Sequence, residues 1–152
     1  MCPVELFVPF RPLRLLILID DERGRCSRVV PRMKELLEHR AFVVDHHRIQ
    51  DGPIDISPYK GLILGSPCYG FGIKGVGPTD ALVSYVQATP DWTGKKAAVF
   101  CVYELSPGTT LDRMKGMIYE KGADFVAAHA YSLLRPNQGE HILPTECMVR
   151  VR

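Results

Sequence analysis

The run Leu13-Arg14-Leu15-Leu16-Ile17-Leu18-Ile19 constrains this chain more than any other segment. It is apolar almost without alternation, the pattern of a strand buried on both faces. Such a strand needs cover above and below, and so belongs inside a parallel sheet flanked by helices. It stops abruptly at Asp20-Asp21-Glu22-Arg23-Gly24, a polar turn that holds a glycine. A helical pattern follows, with Val29, Val30, Met33, Leu36 and Leu37 on one face. Ser27 is placed to cap that helix, and Pro31 falls in its first turn, where proline is tolerated.

The alternation continues along the chain. Ala41–Asp45 reads as a second strand, and Gly61-Leu62-Ile63-Leu64-Gly65 as a third, fully apolar one, with at most one helical turn between them around Ser57-Pro58-Tyr59. Between Ser66 and Pro78 stand six glycines and prolines, too many for regular structure, so this stretch is expected to be a long loop. Thr79 opens a helix with Ala81, Leu82, Tyr85 and Val86 on its apolar face, ending before Pro90. Lys96 leads into a fourth strand, Ala97–Tyr103. A loop from Glu104 to Thr109 precedes a helix with Leu111, Met114, Met117 and Ile118, and Phe125–Tyr131 is a fifth strand. Strand and helix in turn imply parallel pairing through right-handed crossovers, hence a doubly wound α/β sheet.

Composition narrows the class. The 152 residues fit one domain, and 46% apolar with 24% charged residues exclude a disordered chain. A net charge of +2 is too small to steer the chain toward nucleic acid. No apolar run approaches the ~18 residues of a membrane span, and Met1–Pro12 does not read as a secretory signal. Cys2, Cys26, Cys68, Cys101 and Cys147 are widely and irregularly spaced, without a C-x-x-C pair. Neither a disulfide framework nor a zinc ribbon is expected, and a reduced, cytoplasmic location is.

Ligands of doubly wound sheets bind beyond the carboxyl ends of the strands, near the point where strand order reverses. Three connections occupy that position: 20–27, 66–78 and 104–109. Gly24 before a helix offers backbone N–H groups and a positive dipole end to a phosphate. Asp20, Asp21 and Glu22 oppose an anion there, while Arg23, Arg25 and Arg28 attract one. Cys68 is read as a small loop filler, since no resolving cysteine is near it in sequence. Asp45-His46-His47 is read as a solvated strand end, because adjacent histidines of a strand point to opposite faces. Nothing resembling G-x-S-x-G surrounds Ser106, so it is no catalytic nucleophile.

Gly65-Ser66-Pro67-Cys68-Tyr69-Gly70, directly after a buried strand, resembles the G-S-P-x-Y-G run of flavodoxins. Trp92-Thr93-Gly94-Lys95-Lys96-Ala97-Ala98-Val99-Phe100 is similar to the family's G-K-x-x-A-V-F approach to its fourth strand. The resemblance spans about Leu13 to Tyr131 and lies nearest the flavodoxin domains of A-type flavoproteins, which also place an aspartate where Asp20 stands. It implies a flavodoxin-like sheet of five parallel strands in the order 2-1-3-4-5, and FMN as cofactor. A phosphate loop would comprise Asp21, Arg23, Gly24, Arg25, Cys26 and Ser27, with Ser27 as the one remaining hydroxyl of the family's T-G-x-T loop. Ser66, Pro67, Cys68, Tyr69 and Gly70 would border the ring: Tyr69 against one face, and Gly70 as the peptide that turns toward N5. Tyr103, Glu104, Leu105, Ser106 and Gly108 correspond to the Y-G-W-S-G segment. Leu105 stands there for the stacking tryptophan, and Glu104 for a glycine.

The activity this implies is electron carriage between a redox partner that reduces the flavin and one that accepts from it, without a catalytic side chain. Flavodoxins are strongly acidic and this chain is not, so partner choice does not carry over. Two alternatives are a flavin-free interaction module on the same fold and an NAD(P)H-dependent quinone reductase. Residues 1–12 form an N-terminal extension and 13–152 the domain. After the fifth strand the tail contains Pro136, Gly139 and Pro144 without a sustained helical period, and Met148–Arg152 alternates like a strand. The helix that closes the family fold is therefore expected to be reduced or absent. Either Val4–Phe10 or the partner of a homodimer would then cover the exposed sheet face.

Overall fold

The computed structural model describes residues 13–71, 74–104 and 106–133, with the backbone alone for 69–71 and 74–76. Strand β1 (Arg14–Ile19) is followed by two single 3-10 turns and helix α1 (Val30–Glu38), then strand β2 (Val43–Arg48). Strand β3 (Gly61–Phe71), the short strand β4 (Lys74–Val76) and helix α2 (Asp80–Ala88) come next. Strand β5 (Lys96–Tyr103), helix α3 (Thr110–Glu120) and strand β6 (Asp124–Ser132) complete the described chain. The parallel strands lie in the order β2-β1-β3-β5-β6, the five-stranded arrangement read from the sequence. Among the described residues no helix is long and apolar enough to cross a membrane.

Alternate residues of β1 explain why both faces had to be apolar. Leu15, Ile17 and Ile19 pack with Val29, Val30, Met33 and Leu37 on the α1 side. Leu16 and Leu18 pack with Leu82 and Val86 of α2 and Met114, Met117 and Ile118 of α3 on the other. Gly65 of β3 lies opposite Phe100 of the neighbouring strand β5 and has no room for a side chain. A Cβ there would lie 2.2 Å from the Phe100 ring.

Four local expectations change. β3 does not end at Gly65 but runs to Phe71 and folds back antiparallel onto β4, pairing Tyr69 with Val76 and Gly70 with Gly75. Glycines excluded regular structure on propensity, yet a two-stranded ribbon needs only backbone groups. Ser27 is no helix cap: α1 starts at Val30, with Val29 in the capping position and no side-chain bond there. β2 begins at Val43 and carries His46 and His47 within it. Thr79, by contrast, caps α2 as expected, its hydroxyl accepting the Leu82 N–H at 3.2 Å. Ala81 is exposed rather than part of the apolar face of α2. The expectations for 1–12 and for the tail from 134 lie outside the described residues.

Candidate functional site

Parallel registry gathers the site. β1 and β3 are neighbours, as are β3 and β5, so the segment after Ile19, the far end of β3 from Ser66 onward and the segment after Tyr103 emerge at one edge of the sheet. β2 adds a fourth that was not anticipated. Ile19 pairs with Arg48 on one side and Gly65 on the other, so Asp20 leaves β1 between the ends of β2 and β3.

Asp20 anchors the floor of this edge. Its N–H donates to the Gly65 carbonyl at 3.0 Å. Its carboxylate is only 1% exposed and accepts the Glu22 N–H at 3.2 Å, the Gln50 side-chain amide and the Thr79 hydroxyl. A buried carboxylate is tolerated when several donors converge on it in this way. Asp20 thereby joins β1 to the end of β2 and to the start of α2. Gln50 and Thr79 were missed as site residues. The cue was available, since a parallel neighbour of β1 must deliver its own exit loop to the same edge.

Asp21 turns the other way. Its Oδ1 accepts the Ser27 N–H at 3.1 Å and its Oδ2 faces the Arg48 guanidinium at 3.4 Å, with 6% of the side chain exposed. Arg23 and Gly24 take successive left-handed conformations, φ 60° and φ 68°. That geometry costs an arginine about 1–2 kcal/mol and a glycine little. The turn brings the Gly24 N–H onto the Asp21 carbonyl at 3.0 Å. Cys26 is fully buried; burial first, then the nearby carboxylates of Asp21 and Asp20, pushes its thiol well above the ordinary range. It stays protonated and acts as packing.

Two ties join the remaining loops. Arg25 Nη2 lies 2.8 Å from Glu104 Oε1, linking the first loop to the third. The Cys68 thiol is shared between the Ser106 and Pro107 carbonyls at 3.5 and 3.4 Å, and its sulfur accepts the Thr110 hydroxyl at 2.9 Å. Second and third loops are thus held together from beneath. Ser66 is buried; its hydroxyl donates to the Pro67 carbonyl at 2.9 Å and accepts the Thr79 N–H at 3.3 Å. Ser66 and Cys68 are thus buried floor, with Pro67 between them on β3 opposite Val102. Tyr69 and Gly70 stand in the β3–β4 ribbon above it. Tyr103 and Ser106 are half-buried, and Gly108 is exposed with φ 52°, its N–H donating to Ser106 Oγ at 3.2 Å. Leu105 lies outside the described residues.

The remaining candidates are elsewhere. His47 Nε2 lies 2.6 Å from the Gly52 carbonyl, while His46 lines a 380 Å³ groove between α1 and β2 with Lys34 and Arg48. Among the described residues no cluster of His, Cys, Asp or Glu has the makings of a metal site.

No family model and no curated protein sequence matches the chain. Solved structures do. Flavodoxin 1 from Bacillus cereus matches at 22% identity over 91% of this chain and 96% of that one, with a TM-score of 0.70. The rubredoxin:oxygen oxidoreductase of Desulfovibrio gigas matches at 14% identity and a TM-score of 0.69, over 93% of this chain but 35% of its own. A Fusobacterium nucleatum flavodoxin bound to flavin mononucleotide matches at 17% identity over 74% of this chain and 67% of that one, with a TM-score of 0.59. The fold is that of the flavodoxins, shared with about a third of the longer Desulfovibrio gigas oxidoreductase.

Proposed function

We propose that the chain is a flavodoxin-like electron carrier that holds a flavin, FMN in the family, at the edge formed by the loops after β1, β3 and β5. One observation carries this reading: three connections meet at the switch point of a flavodoxin-like sheet and are fastened there by Arg25–Glu104 and by Cys68 to Ser106 and Pro107. An edge braced in that way suits a rigid planar ligand, because loops that are already fixed lose little entropy on binding. The Fusobacterium nucleatum neighbour, which is bound to flavin mononucleotide, supports the choice of ligand.

The ring end fits this edge. Tyr69 and the Gly70 peptide would border the ring from the ribbon, and the backbone of 104 to 108 would face its pyrimidine side. The phosphate end fits less well, since amides of the first loop already donate to Asp20 and Asp21. Bound flavin supplies one- and two-electron chemistry. The chain's part is to exclude water from one side of the ring and to set the local charge through the Arg25–Glu104 pair. No side chain has to transfer a proton, so donor and acceptor are separate redox proteins, and the cytoplasm is the compartment where such partners and reduced thiols coexist.

The Asp21 arrangement also favours a second reading, in which the fold binds no flavin and serves as an interaction module. The visible spectrum of the purified protein, before and after FMN is added, tests the proposal. A shifted, structured flavin band that survives gel filtration is expected; a colourless protein after reconstitution would leave the second reading. NADPH oxidation with a quinone and no added reductase would contradict the carrier role.

A further inference from the structure

Five backbone donors of the first loop are bonded within the loop itself. The Ser27 N–H is bonded to Asp21 Oδ1 and the Glu22 N–H to Asp20 Oδ1, both side-chain carboxylates of the same chain. The Gly24, Arg28 and Val29 N–H groups reach the carbonyls of Asp21, Arg25 and Cys26. These are amides of the loop that leads from β1 into α1, where the family's phosphate loop lies. Anion binding at such a place needs amides that point at the ligand, and here an internal anion has taken two of them.

Charge agrees with the hydrogen bonds. Asp20 and Asp21 are almost wholly buried, so solvent screens them poorly and an incoming phosphate meets two carboxylates at once. Two guanidiniums of this edge are engaged as well: Arg25 with Glu104, and Arg48 with Asp21 and Asp51. Ser27 is the one hydroxyl between residues 20 and 28.

We infer that Asp21 is a specificity-determining residue of this site: its carboxylate fills the anion position of the first loop, so the site selects a flavin by its ring and accepts riboflavin as readily as FMN. The inference rests on the flavin reading for its ligand, but the self-filled anion position stands or falls separately. Replacing Asp21 by serine removes the internal anion and returns a hydroxyl. Replacing it by asparagine keeps an oxygen for the Ser27 N–H while removing the charge, which guards against a serine variant that fails to fold.

The experiment has two arms on wild type, Asp21→Ser and Asp21→Asn. The first is titration with FMN and with riboflavin, read by quenching of flavin fluorescence. The second is thermal unfolding in inorganic phosphate against chloride at matched ionic strength. Wild type should bind the two flavins within about threefold of each other, and Asp21→Ser should bind FMN about tenfold tighter with riboflavin unchanged, a difference of ~1.4 kcal/mol. Inorganic phosphate should raise the melting temperature of Asp21→Ser by about 2–4 °C and leave wild type unmoved. Asp21→Asn should fall between the two in both arms.

A wild-type preference for FMN of tenfold or more, or phosphate stabilisation of wild type, overturns the inference and leaves the carrier proposal standing. No phosphate response in either variant also overturns it. If neither flavin binds any of the three proteins while phosphate stabilises only the variants, the self-filled anion position holds, and both the flavin selectivity inferred from it and the flavin reading fall.

Discussion

Arg25 and Glu104, 79 residues apart in sequence, meet at 2.8 Å across the carboxyl edge of the sheet. The guanidinium is mostly covered and the carboxylate largely exposed, so the pair links two loops while leaving its negative end toward solvent. A half-exposed pair of this kind is worth about 0.2–1 kcal/mol. An exposed charge beside the ring acts on it with a similar magnitude, so Glu104→Gln should raise the midpoint potential of bound flavin by roughly 10–40 mV per electron, at ~59 mV per tenfold change in equilibrium. Spectroelectrochemistry checks this; a potential that falls, or does not move, would place the ring away from the third loop.

Thr79 holds two bonds at once, donating to the buried Asp20 and accepting the Leu82 N–H. Thr79→Val keeps the shape and loses both. Stability should drop by about 2–4 kcal/mol, combining a lost cap of ~1 kcal/mol with a buried carboxylate left short of a donor at ~1–3 kcal/mol. Thr79→Ser should recover most of it in urea unfolding. Equal losses for valine and serine would mean that the hydroxyl is not what matters.

Gly65 faces the Phe100 ring with no space for a methyl group. Gly65→Ala should cost about 1–3 kcal/mol by overpacking, or about 2–12 °C in melting temperature. The double variant with Phe100→Leu should regain part of that loss. A melting temperature unchanged in the single variant would contradict the close packing of β3 on β5.

Tyr59 Oη donates to Asp45 Oδ2 at 2.7 Å, and Arg14 donates to the same oxygen at 3.0 Å. The Tyr59 hydroxyl first, and then Arg14, holds the Asp45 carboxyl below its usual range. A depressed folded-state value means that the contribution to stability is complete above the ordinary carboxylate range and is lost as pH falls through the depressed value. Tyr59→Phe should thus destabilise most near neutrality, and the gap to wild type should narrow at about pH 3. Urea unfolding at both pH values decides it: a gap of constant size would assign the effect of Tyr59 to packing alone.

The sheet was legible because β1, β3 and β5 are buried on both faces and apolar through their middles, with charge only at the first residue of β1 and β5. The Thr79 cap was legible because its acceptor role is local, three residues long. Two features were not. The β3–β4 ribbon is made by backbone pairing among glycines, where side-chain pattern carries no signal. The role of Asp21 depends on where the helix starts: Ser27 is a good cap by type, but two 3-10 turns delay α1 to Val30 and leave the Ser27 N–H to the Asp21 carboxylate. The exit of β2 to the same edge could be read from the strand order, but the register that pairs Ile19 with Arg48 and sets Arg48 and Gln50 beside Asp21 and Asp20 could not.

The central claim is that the braced edge after β1, β3 and β5 is a flavin site, and titration of FMN with the purified protein tests it most directly. Saturable quenching of flavin fluorescence at one equivalent per chain, weakened in Tyr69→Ala by the lost stacking of about 0.5–1.5 kcal/mol, is the expected result. No quenching at tens of micromolar FMN, on the order of a −6 kcal/mol interaction or weaker, would contradict it.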